Sequence, residues 1–295
     1  MRTLALAVVL ATQVFRASAD LVVLQVAVHG RGTGLVPDLP ANAFRVYEDG
    51  VPQAITYFLS EDRPVAVGLV VDNSTSMREK RDHVIAAAEA FARSSNPGDA
   101  LFTVNFNERV WFGLPPDRPF TSDRTELRSA LESIIARGQT ALYDAVAAGL
   151  DHVATSALEG HVLVILSDGG DNRSVRTLDD VMRRADRSST VIYCIGAFDE
   201  FSSGDDRRTL ERMASATGGL ALFPKKPAEL AGEFAVIAQE IRHRYTIGYE
   251  PTNRRRDGTY RKLRIAVADP RTGKPLEART RAGYLAPGTL LPTLR

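Results

Sequence analysis

The sequence predicts an α/β protein with a doubly wound, mostly parallel sheet, helices on both faces, and a small flanking β-module drawn from both chain ends. Three observations predict it. Between residues 63 and 243, short runs that are apolar at every position alternate with stretches whose apolar residues recur three and four apart. The first kind reads as strands buried on both faces, the second as helices with one buried stripe. Outside that region, before and after it, only strand patterns occur. Of the 295 residues, 44% are hydrophobic and 25% charged, which supports a buried core and excludes a disordered, collagen-like or polytopic membrane chain.

Taken in order, residues 1–19 read as a secretory signal. Arg2 is the positive start, Leu4 to Ala11 an apolar run, and Ala17-Ser18-Ala19 a small-residue cleavage pattern. The run is far short of the ~20 residues a bilayer span needs, and no Cys follows it to carry a lipid. The expectation is export, to the periplasm or beyond, with no transmembrane segment after signal removal.

Residues 20–62 form an N-terminal β segment. Val22, Leu24, Val26 and Val28 alternate, and Phe44-Arg45-Val46-Tyr47 leads to the two-residue hairpin turn Asp49-Gly50. Gly30-Arg31-Gly32-Thr33-Gly34 lacks the spacing of phosphate-binding loops and reads as a hairpin tip.

The central region, 63–243, contains the strand runs Val65–Val71, Leu101–Phe106, Val162–Leu166, Val191–Ile195 and Leu220–Phe223. Helical faces are marked by Val84, Ala87, Ala88 and Phe91, by Leu127, Leu131, Ile134 and Ile135, and by Leu142, Val146 and Leu150. A last helix carries Leu230, Phe234, Ile237 and Ile241. His83 and His152 lie in helical patterns and read as solvated faces. Residues 244–288 return to strands at 245–249, 260–267 and 278–284, with turns at Asp257-Gly258 and Thr272-Gly273, and 289–295 form a loose tail.

Oxygen-bearing residues gather where the strands end. Asp72-Asn73-Ser74-Thr75-Ser76 follows the first central strand, Ser167-Asp168-Gly169-Gly170 the third, and Thr140 precedes a helix in Gly138-Gln139-Thr140-Ala141. Open parallel sheets bind ligands at the carboxyl ends of their strands. Carboxylates with hydroxyls form a hard-oxygen set suited to Mg²⁺ or Ca²⁺ and not to zinc or copper. Any one of these pieces alone is an ordinary helix cap.

In this order the pieces resemble the von Willebrand factor type A (VWA) domain. Asp72, Ser74, Ser76, Thr140 and Asp168 match the five positions of that family's metal-ion-dependent adhesion site. Met77, Lys80, Gly98-Asp99, Tyr143-Asp144 and Asp171-Asn172 agree as well, and the likeness covers about 63–243. The flanks Phe44 to Gly50 and Tyr245-Thr246-Ile247-Gly248-Tyr249 resemble a bacterial secreted subfamily. The resemblance implies a non-catalytic adhesion-type module holding Mg²⁺, with Ca²⁺ or Mn²⁺ as alternatives. It further implies a protein partner that donates an Asp or Glu carboxylate to the metal. Loops 107–123 and 169–176 would supply selectivity, with Trp111 and Phe112 as a candidate aromatic contact. At least one of that pair is expected to pack on the sheet edge.

Two other classes remain open on the residues alone: a metal-assisted hydrolase, and a structural module whose oxygens only cap turns. No Gly-x-Ser-x-Gly, His-Glu-x-x-His or Gly-x-x-x-x-Gly-Lys-Ser/Thr motif occurs. The lone Cys194 sits inside an apolar run as an inert thiol and excludes an internal disulfide. Net charge is +1, yet residues 241–295 hold 13 Lys and Arg against 4 Asp and Glu. Arg254-Arg255-Arg256 reads as a solvated hairpin in preference to a dock for an acidic envelope surface. No aromatic platform supports a nucleic-acid role.

Overall fold

The computed structural model describes residues 21–288 except Arg31, Thr33, 133–135, Gly169 and 199–203. The expected signal 1–19, the tail 289–295, and Ile134 and Ile135 of the second helical face lie outside the described residues. Five strands come first: β1 (Val22–Gly30), β2 (Gly34–Leu35), β3 (Phe44–Glu48), β4 (Val51–Gln53) and β5 (Ile55–Leu59). The central region begins with β6 (Val65–Asp72), α1 (Arg81–Ser94), β7 (Ala100–Phe106), β8 (Val110–Phe112) and α2 (Arg124–Glu132). It continues through α3 (Leu142–Val153), β9 (Gly160–Ser167), α4 (Leu178–Arg187) and β10 (Val191–Gly196). It ends with α5 (Gly204–Thr217), β11 (Ala221–Leu222) and α6 (Leu230–Arg242). Four strands follow: β12 (Tyr245–Tyr249), β13 (Tyr260–Ala268), β14 (Pro275–Arg279) and β15 (Gly283–Leu285).

The central sheet runs β11-β10-β9-β6-β7-β8, parallel except for β8. Alternate residues of β6 enter opposite cores. Val67, Leu69 and Val71 pack with Phe91 of α1 and with Phe234 and Ile237 of α6. Ala66 and Val70 pack with Val146 and Leu150 of α3, and with Leu210 and Met213 of α5. Gly68 sits mid-strand between Phe102 and Leu163. A Cβ there would lie 2.3 Å from Phe102 Cζ, so only glycine lets the ring cross the strand.

The flanking strands from both chain ends join into one nine-stranded sheet, ordered β4-β3-β13-β14-β1-β12-β5, with β15 on β13 and β2 on β1. The Asp49-Gly50 turn has φ of 48° and 83°, the left-handed pair a tight hairpin requires. Phe44 packs against Phe58 and Tyr245, with ring centroids 5.3 and 4.9 Å away. Arg261 and Glu48 form a buried pair at 3.1 Å, and the hydroxyls of Tyr249 and Tyr284 donate to the same carboxylate.

Three expectations are corrected. Residues 107–123 are not all loop, because Val110–Phe112 adds an antiparallel edge to β7. Phe112 stacks on His152 with centroids 4.5 Å apart, and Phe102 and Phe120 surround the same imidazole. His152 is therefore in an aromatic group and not on a solvated face, with Nε2 2.9 Å from Pro119 O. The strand expected over 278–284 is broken between β14 and β15. Arg281 turns out of the sheet to donate to Asp186 O at 2.8 Å and Ser188 O at 2.6 Å, where α4 ends, and Ala282 N follows it to Ala216 O.

The central region leaves the flanking sheet after β5 and re-enters it at β12, and these two strands pair with each other. Arg242 bonds Asp62 at 2.9 Å and Asp99 at 3.0 Å, while Asp99 also accepts from Val65 N at 2.8 Å. One residue set thus clamps entry to exit. Beside it Glu240 binds Arg244 at 2.8 Å and pairs with Arg279 of β14. Among the described residues no helix is long and apolar enough to cross a membrane.

Candidate metal centre

The candidate residues gather at the carboxyl edge of the parallel sheet. β6 and β9 are neighbours, with Val71 opposite Leu166, so Asp72 and Asp168 leave the sheet side by side. Asn73 N donates to Phe106 O at 2.6 Å and turns the chain over the end of β7. Asp72 Oδ1 then accepts from Ser74 N at 2.8 Å, and this local turn brings Ser74 Oγ within 3.0 Å of Ser76 Oγ. Asp72 Oδ2 accepts from Ser167 Oγ across the sheet at 2.6 Å.

Thr140 arrives on the segment before α3. Arg137 N donates to Asn73 O at 2.9 Å, Thr75 N to Gly138 O at 3.2 Å and Ala141 N to Asn107 O at 2.7 Å. These bonds lay residues 137–141 across the ends of β6 and β7. Thr140 N donates to Asn172 Oδ1 at 2.9 Å, while Thr140 O accepts from Asn172 N and Arg173 N. Asp171 accepts from Tyr143 N at 3.0 Å, and Asp144 from Val175 N at 2.9 Å. The segment after Asp168 is thereby locked to the start of α3. Asp171, Asn172 and Ser174, from the segment expected to supply selectivity, take part in this lock.

Asp72, Ser74 and Thr140 are buried, Asp168 is half-buried and Ser76 is exposed. Burial, opposed by the Ser167 hydroxyl and reinforced by the Asp168 charge, pushes the Asp72 carboxyl up to about 6. Among the described residues no Lys or Arg forms an ion pair with it. A buried carboxylate without a cation is costly, so the charge and hardness of this donor set fit a divalent ion. No group of three or more His, Cys, Asp or Glu suited to a metal occurs among the described residues. Two acids and three hydroxyls are what this centre offers instead.

Supporting groups appear, and of these sequence reasoning missed Arg81. Arg81 donates to Asn73 Oδ1 at 3.1 Å, to Leu131 O at 3.1 Å and to Glu132 O at 2.8 Å, joining the Asp72 turn to the end of α2. Lys80 is buried and donates to Ala197 O at 2.7 Å beyond β10. Ser167 stood in a quoted motif, but its bond to Asp72 depends on the pairing of two strands far apart in sequence. Cys194 is fully buried and burial pushes its thiol up, in keeping with an inert role.

No curated protein matches the chain. Among solved structures, a von Willebrand factor type A protein from Catenulispora acidiphila is 15% identical. That match covers 83% of this chain and 75% of the other at a TM-score of 0.55. The vWF domain of the type V pili tip protein Mfa5 from Porphyromonas gingivalis is also 15% identical, over 60% of this chain and 95% of that one, at 0.51. Proximal thread matrix protein 1 from the mussel byssus is 15% identical, over 66% and 50%, at 0.51. At such identities the likeness is one of fold. The family model for the von Willebrand factor type A domain matches residues 67–234, which takes in both candidate acids and all three hydroxyls. On that match the chain belongs to the von Willebrand factor type A domain family.

Proposed function

We propose that this protein is an exported, non-catalytic binding module that holds one divalent cation, Mg²⁺ in the first place, and uses it to grip a protein partner. Domains of this family serve protein interaction and are often metal-dependent. The observation that carries the reading is the buried Asp72 carboxylate. Among the described residues it is hydrogen-bonded only by neutral groups, and it lies beside Asp168 at the strand ends. Asp72, Ser74, Ser76, Thr140 and Asp168 would hold the ion, which would supply an electrophilic position for one carboxylate of the partner. The chain's own part is preorganisation. Ser74 N and Ser167 Oγ fix both Asp72 oxygens, and Asn172 fixes the backbone of Thr140. No Gly-x-Ser-x-Gly or His-Glu-x-x-His motif accompanies the serines, which favours binding over hydrolysis. Export rests on the character of residues 1–19, and adhesion at the cell envelope on the resemblance in the flanks.

The test is thermal unfolding of the mature chain with and without Mg²⁺. Saturating metal at a hundred times its dissociation constant stabilises a protein by ~2.7 kcal/mol. That gain is expected in the wild type and absent in Asp72→Ala and Asp168→Ala, which should still fold. Equal stabilisation of all three would remove the assignment. Capture of a partner from the native envelope fraction should then vanish with chelator and return with Mg²⁺.

A further inference from the structure

A groove of about 1170 Å³ lies between the flanking sheet and the end of α4. It is bounded by Glu159 before β9 and by Arg187 to Ser189 before β10, so it sits at the amino ends of the parallel strands. The candidate metal centre is at their carboxyl ends, an eight-residue strand away, on the order of 25 Å. Its volume exceeds the ~300–1,000 Å³ of ordinary small-molecule sites and suits a length of chain.

Three features define what would enter. Arg187, Arg254 and Arg255 line the groove, are exposed, and form no ion pair or side-chain hydrogen bond among the described residues. The acids on its walls are Glu159, Asp186 and Glu250, and Glu159 already accepts a bond from Tyr57. The arginine run is also not the hairpin expected from sequence. β12 and β13 pair with other strands and not with each other, and the loop joining them is pinned from beneath. Arg261, buried on Glu48, donates to Asn253 O and Arg255 O, each at 2.6 Å. The backbone that carries the exposed guanidinium groups is therefore held. Lastly, among the described residues β1 has a strand on only one side where it lines the groove. Val22 to Val26 pair with β12, whereas β14 takes the opposite edge only from Ala27 to His29. Arg244 caps Gln25 O, and the edge at Val22 and Val23 is left to the groove.

We infer that the groove binds an extended acidic polypeptide segment. It would lie as an added strand along the Val22–Val23 edge of β1, its carboxylates against Arg187, Arg254 and Arg255. A strand edge supplies affinity through backbone hydrogen bonds, and the arginines select charge. A flat anionic bilayer matches the charge but cannot enter a concave groove or satisfy a strand edge. The inference stands apart from the metal reading, because neither the residues nor the location are shared.

The experiment measures fluorescence anisotropy of a labelled Glu-Val repeat decapeptide, with a Lys-Val decapeptide as control, against the mature full chain in excess chelator. The acidic peptide is expected to bind, to weaken as NaCl rises, and to bind Asp168→Ala as well as wild type. Binding to Arg187→Ser/Arg254→Ser/Arg255→Ser is expected to be about tenfold weaker. Hydrogen exchange at Val22 and Val23 should slow when the peptide is added. Equal binding by the triple variant, loss of binding on chelation, unchanged exchange at β1, or preferential retention on phosphatidylglycerol vesicles would each overturn it.

Discussion

Ser167 shows how the site is built one residue at a time. Its hydroxyl reaches from the end of β9 to Asp72 Oδ2 at 2.6 Å and sets the orientation of that carboxylate. Groups that orient a metal ligand in this way typically alter affinity by roughly 10–100-fold when removed. Ser167→Ala is therefore expected to weaken Mg²⁺ binding by about that factor and also to destabilise the metal-free protein by about 1.5–3 kcal/mol, since a buried bond to a charged group is lost; calorimetric titration and melting together would show both. The five candidate oxygens were legible because three of them sit within one local turn and the others follow recognisable strand or pre-helix motifs. Arg81 was not legible. Its partners are Asn73 and the carbonyls of Leu131 and Glu132, about fifty residues along the chain, and nothing in the composition near Arg81 announces them.

Among the elements, strands with a continuous apolar run were readable from sequence, since burial on both faces demands it. β6, β9 and β10 fall within a residue or two of their apolar runs. β8 was missed because three residues carry too little periodicity, and its edge position is fixed by β7 and by the ring stack on His152. The gap between β14 and β15 was missed because Arg281 obeys the carbonyls at the end of α4, not the strand pattern around it. The centre of β6 gives a test at this scale. Gly68→Ala forces a methyl against Phe102 and Leu163, and overpacking of this kind costs about 1–3 kcal/mol. A lower denaturant midpoint with unchanged slope is expected. A neutral substitution would mean that the ring does not lie across the strand.

For the molecule as a whole, the two sheets are tied by charge as well as by chain. Burial alone would raise the Glu240 carboxyl, but Arg244 and Arg279 outweigh it and hold it below its ordinary value. A carboxylate depressed on folding adds stability above its unfolded value of 4.5, and that contribution is lost as the pH falls through the lower folded value. Wild type should therefore lose stability on acidification below about pH 4.5 more steeply than Glu240→Gln. At pH 7 the variant leaves Arg244 buried without its anion and is expected to be less stable by about 3–5 kcal/mol. Chemical denaturation across pH would separate the two effects. The flanking sheet was legible only as a set of strands. Its pairings, such as Val22 with Tyr249 and Val46 with Ile265, join residues more than two hundred apart, and no local pattern encodes them.

That connectivity imposes an order of assembly. β5 and β12 are neighbours in space, yet the whole central region is threaded between them. Before that region folds, joining them means closing a loop of nearly two hundred residues, and long-range pairings of this kind are slow to form. Once α6 has docked and Arg242 has reached Asp62 and Asp99, the two ends stand together and the remaining search is short. The central region is then the template, and the sheet that lines the arginine groove is the part of the chain that sets last.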